Sequence, residues 1–134
     1  MKKVDAEKIA AMVRQAVAAV RGQDGFCMKL LGLIRERGLS DVEVYKKAHL
    51  DRRYFSKLRS ERSHPSRRTV MALCLALELT EEAAVALMRS AGYAFCEVSL
   101  TDALVRCFLR GGVYDVDEAN ACLYDLGEEI LGRW

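Results

Sequence analysis

Apolar positions near the N-terminus repeat with a helical period, not an alternating one. Ile9, Met12, Val13, Ala16, Val17 and Val20 fall at i, i+3, i+4, i+7, i+8 and i+11, one face of a 3.6-residue repeat. The spacing predicts an amphipathic helix over 5–21, with Asp5 as N-cap and Gly22-Gln23-Asp24-Gly25 as the break. Its apolar stripe is narrow and rich in Ala and Val, which suits packing on the rest of the chain or pairing with a copy of itself. The helical period then recurs. Over 26–37 it turns Leu30, Leu33 and Ile34 inward, and Gly38 closes that helix. Ser40 and Glu43 have the S-x-x-E form of a capping box, so a short helix opens at Asp41 and ends near Ala48. His49-Leu50 make a turn, and Asp51 caps a helix over 52–60.

After a polar loop, Glu61-Arg62-Ser63-His64-Pro65, Ser66 caps a helix reaching Leu77 with Val70, Leu73, Cys74 and Leu77 inside. Thr80 caps 81–91, closed by Gly92. Ser99 or Thr101 caps 100–110, stopped by Gly111-Gly112. A last helix over 117–126 ends the series, with a final turn reaching Leu131. About eight helices result, with no internal repeat and no strand-period segment longer than Tyr93 to Val98. The fold class is all-α. Residues 1–25 form an N-terminal helix and linker, and residues 26–134 form the helical domain.

Composition narrows the class of protein. Half of the 134 residues are apolar, enough for one core, and 30% are charged, so the chain should dissolve. No apolar run approaches the ~20 residues needed to span a bilayer, and the N-terminus lacks an apolar signal core. The expected address is the cytoplasm, away from membranes. Five cysteines, Cys27, Cys74, Cys96, Cys107 and Cys122, are widely spaced without a CxxC, which argues against a disulfide framework or zinc knuckle and for free thiols in the core. The two histidines, His49 and His64, lie in turns, and no phosphate-binding glycine loop occurs. The sequence therefore points away from an enzyme, with no catalytic residue, metal or cofactor expected. Tyr114 and Tyr124 are expected to pack into the core.

The block from Leu39 to Thr69, LSDVEVYKKAHLDRRYFSKLRSERSHPSRRT, carries the functional signal. Two short helices joined by about three residues form a helix-turn-helix at about 41–59. In DNA-binding versions the second helix enters the major groove. Phe55 and Leu58 would anchor its buried side, which puts Arg53, Ser56, Lys57 and Ser60 outward with Arg52 and Arg59 flanking. Residues 41–68 hold nine Lys/Arg and four Asp/Glu, a net of +5 on a chain whose total is +2. A basic patch on a near-neutral protein is the footprint of phosphate contacts.

The block resembles the lambda-repressor-like (Cro/repressor type) helix-turn-helix family. "LIRERGLS", "FSKLRSERSHPS" and "VMALCLALEL" are similar to that family's first helix, its recognition helix with the following loop, and its fourth helix, without gaps from Leu30 to Leu79. The resemblance implies a five-helix core, here with one extra N-terminal helix and two to three extra C-terminal helices. It also implies a homodimer that binds double-stranded DNA and regulates transcription. Arg52, Arg53, Ser56, Lys57 and Arg59 would read DNA, and Lys46, Lys47, Arg62, Arg67 and Arg68 would hold phosphates. Four positions depart from the pattern: Asp41 stands for a Gln, Tyr45 for a small residue, His49 for a Gly, and Arg59 for a Glu. Asp41 puts a negative charge at a helix N-terminus where a phosphate would bind, and Asp51 adds a second. A longer stretch, "DVEVYKKAHLDRRYFSKLRS", "AGYAF" and "GGVYDVDEANACLYDLG", looks like a helical domain at the C-terminus of some bacterial macro-domain proteins. That resemblance implies the alternative, a non-catalytic protein–protein interaction module of a signalling or defence pathway that keeps the shape without reading DNA.

Overall fold

The computed structural model describes residues 5–21 and 25–132, so the expected helix break at Gly22, Gln23 and Asp24 lies outside the described residues. The described chain folds as eight helices: α1 (Ala6–Arg21), α2 (Phe26–Glu36), α3 (Asp41–Lys47), α4 (Arg52–Arg59), α5 (Arg67–Ala76), α6 (Glu81–Ser90), α7 (Leu100–Gly111) and α8 (Val116–Asp125). Except for α2, which follows Gly25 without a side-chain cap, the helices begin where short polar side chains can accept from otherwise unpaired first-turn amides. Ser40, Asp51, Ser66, Thr80, Ser99 and Asp115 all do so. Ser99, not Thr101, caps α7, and Asp115 starts the last helix at Val116, one residue earlier than expected.

Helix α5 is the axle of the fold. Every residue from Thr69 to Ala76 is buried, beyond the single inward stripe that periodicity suggested. The cause is that α3, α6, α7 and α8 all pack around it, and a helix enclosed on all sides must be apolar on all sides. Leu30, Val44, Leu58, Leu73, Leu87, Val105 and Leu123 carry the core outward from α5 through six other helices.

Helix α1 differs from the rest. None of its residues is buried, although the Asp5 carboxylate accepts from the Glu7 N–H at 2.9 Å and so caps it as expected.

Three C-terminal expectations change. The final turn reaching Leu131 is not helical. Gly127 closes α8 at φ 76°, and residues 128–130 run on without helix. Leu131 is nevertheless buried, its N–H donating to the Asn120 side-chain oxygen at 2.8 Å. Tyr114 packs against the core, but Tyr124 is 78% exposed because it lies on the outer face of α8. Of the cysteines, Cys27 and Cys74 are buried, while Cys96 and Cys107 are exposed and all five are free. Burial pushes the Cys74 thiol up to about 12, so it acts as a small apolar residue. No described helix is long and apolar enough to cross a membrane.

Candidate nucleic-acid interface

The motif is assembled from local bonds. The Ser40 hydroxyl oxygen accepts from the Glu43 N–H at 3.2 Å, the serine half of a capping box, while the Glu43 carboxylate accepts from the Ser40 hydroxyl at 3.2 Å. Helix α3 ends with the Leu50 N–H donating to the Tyr45 carbonyl at 2.8 Å. This closure needs a left-handed residue, and His49 takes it at φ 58°, a conformation more natural to glycine. Asp51 then accepts from the Arg53 and Tyr54 amides at 3.1 and 3.4 Å and starts α4. Phe55 and Leu58, both nearly inaccessible, hold the inner face of α4 as expected. Tyr45 fits as a large residue because its ring lies against Phe55, centroids 5.9 Å apart. At the far side, the Tyr54 hydroxyl bonds with the Thr69 hydroxyl at 3.1 Å, joining α4 to the start of α5.

With that inner face fixed, Arg52, Arg53, Ser56, Lys57 and Ser60 are exposed on α4. The ten residues expected to face DNA divide into two groups. Arg52, Arg53, Lys57, Lys46 and Lys47 are exposed and, among the described residues, form no ion pair. Ser56 shares their face, its carbonyl accepting from the Ser60 hydroxyl at 3.0 Å. Arg62 is exposed, and its Nε donates to the Ser60 hydroxyl at 3.0 Å.

The remaining three are engaged inside the protein. Arg59 turns back onto Asp41 and bonds its carboxylate. Arg67 is bonded to the buried Asp102 and to the Ala94 carbonyl at 2.7 Å, with its guanidinium 5.8 Å from the centre of the Tyr93 ring. Arg68 pairs with Glu129 at 3.1 Å. A phosphate at any of these three would have to displace a carboxylate.

Those pairs alter the charge pattern. Asp41, which stood against an approaching phosphate, is neutralised by Arg59, so two of the four departures from the repressor pattern offset each other. Asp51 is directed at the α4 amides. The free positive charge therefore gathers on the outer face of α4 and the end of α3.

Helix α8 and the segment after it meet the motif at its turn. His49 Nε2 meets Asp117 of α8 at 2.9 Å. Gly132 passes so near the turn that a Cβ there would sit 2.7 Å from the His49 carbonyl oxygen.

Sequence reasoning missed Asp102. It is 1% exposed, accepts from the Cys96 N–H at 2.6 Å and the Ser99 hydroxyl at 3.2 Å, and anchors the 93–99 segment to α5 and α7. The Ser99-x-x-Asp102 spacing was the available signal. Among the described residues no group of three His, Cys, Asp or Glu is placed to hold a metal ion. No family model, curated protein or solved structure matches the chain.

Proposed function

We propose that the chain is a helix-turn-helix DNA-binding protein that regulates transcription. The observation that carries this reading is the outer face of α4, where Arg52, Arg53 and Lys57 stand exposed without carboxylate partners while the inner face is locked by Phe55 and Leu58. An arginine on such a face can fork onto a guanine edge, and Lys57 and Ser56 can hold phosphates. Lys46, Lys47 and Arg62 extend the cationic surface on either side. The sequence resemblance of residues 30–79 to the repressor type supports the reading, and so does the Arg59–Asp41 pair, which removes the charge that opposed it.

The test is an anisotropy titration of the protein against genomic duplex fragments at two salt concentrations. Each phosphate neutralised steepens the fall of log K with log salt by about 0.9. Six free cations predict a steep loss, and Arg53→Ala with Lys57→Ala should abolish binding without altering the melting temperature. Absence of binding at low salt by a folded sample would overturn the proposal in favour of the interaction module.

A further inference from the structure

A cleft of about 410 Å³ lies where the starts of α5 and α7 come together, lined by Ser66 and Arg68 of the one and Ser99 and Thr101 of the other. That volume suits a small molecule. Helices of 10 and 12 residues each bring the partial positive charge of an N-terminus to it. Donors are left over at both. Ser66 accepts from the Thr69 N–H and Ser99 from the Asp102 N–H, so neither cap serves the amides of the two residues before. Met71, 1% exposed, and Tyr93 add apolar surface to the wall.

A second observation points to a ligand. Thr101 is 8% exposed, and among the described residues its hydroxyl has no hydrogen-bond partner. A buried hydroxyl left unpaired costs stability, and valine would fill the same volume without that cost. Thr101 lines the cleft, so an acceptor bound there would satisfy it. The two cations of the cleft differ. Arg67 is tied to Asp102 and the Ala94 carbonyl and forms part of the wall. Arg68 meets Glu129 through side chains 44% and 62% exposed. Such surface pairs are weak, so an anion in the cleft can draw Arg68 away from Glu129.

We propose that this cleft binds a small organic oxyanion, a phosphate or carboxylate carried on an apolar body. The Thr101 hydroxyl, the first amides of α5 and α7 and the Arg68 guanidinium donate to the anionic head. Met71 and Tyr93 take the body. Glu128, which also lines the cleft, opposes the charge and limits affinity. The site uses no residue of α4, and the inference is independent of DNA binding.

The test is an amide NMR titration of isotope-labelled protein with inorganic phosphate, phenyl phosphate and benzoate, at an ionic strength held constant with chloride. The amides of residues 67, 68, 100 and 101 should shift together and saturate. Phenyl phosphate should bind more tightly than inorganic phosphate because of the apolar wall. Comparing it with benzoate tells which head the site prefers. Thr101→Val should weaken binding about tenfold, the loss of one hydrogen bond to a charged group, with a melting temperature no lower than wild type. Arg68→Gln should weaken it by a similar factor, and Glu128→Gln should tighten it. No saturation by any of the three probes up to ~100 mM, far above the millimolar affinity of a weak site, would overturn the inference. So would shifts confined to α4, or binding that is unchanged in Thr101→Val or in Arg68→Gln.

Discussion

Replacing Asp102 by alanine tests the central structural argument. Its side chain is 2% exposed and accepts hydrogen bonds from Arg67, the Cys96 N–H and the Ser99 hydroxyl. Alanine leaves the Cys96 N–H without its acceptor and Arg67 facing a methyl group. Breaking a buried pair by removing one partner costs about 3–5 kcal/mol. The Arg67 side chain is 34% exposed, so water recovers part of its solvation and the lower end applies, about 3 kcal/mol. That is a large share of the ~5–15 kcal/mol typical of a domain. Urea unfolding followed by far-UV circular dichroism should show the midpoint falling with an unchanged slope. Asp102→Asn, which keeps the shape and one acceptor oxygen, should lie between wild type and alanine. A loss below about 1 kcal/mol for Asp102→Ala would refute the reasoning, because the network would then not be what holds the 93–99 segment and α7 to α5.

Two further predictions follow from the ion pairs. At Glu81, the bond from the Arg110 guanidinium, 2.5 Å away, outweighs burial and holds the carboxyl below its ordinary value of 4.5, with Arg106 assisting. A lowered folded-state value contributes stability above 4.5 that is lost as pH falls through the folded value. Glu81→Gln should therefore lower the melting temperature at neutral pH, and the gap from wild type should close on acidification. A gap independent of pH would show that charge is not involved. Asp41→Asn should release Arg59 toward DNA and steepen the salt dependence of binding by about one ion, read in the same anisotropy titration. An unchanged slope would mean that Arg59 stays clear of the phosphates.

The legible part of the fold was local. Ser40 with Glu43, Asp51, Ser66 and Thr80 announced helix starts because a capping side chain bonds amides two or three positions away. Phe55 and Leu58, three apart, announced the inner face of α4 and with it the exposure of Arg53, Ser56 and Lys57. His49 shows a limit of composition rules. Glycine is the usual solution at that turn, yet closure by the Leu50 N–H forced a histidine to φ 58°. The periodic stripe of α5 understated its burial because periodicity reports the faces of one helix and not how many neighbours surround it. Tyr124 failed for the same reason, since the packing of α8 decides which of its faces is outermost.

The eight helices, most of their caps and the basic block are legible along the chain, because those depend on residues within a turn of one another. Which of the basic residues are free depends on long-range packing. Arg59 meets Asp41 across 18 positions and Arg67 meets Asp102 across 35, pairings that no local pattern encodes. The same long-range contacts converted Asp41 from an obstacle into a partner and removed Arg67 and Arg68 from the free positive surface. The α3–turn–α4 unit is thus written in short-range bonding, whereas its electrostatic face is set by how distant helices bring opposite charges together.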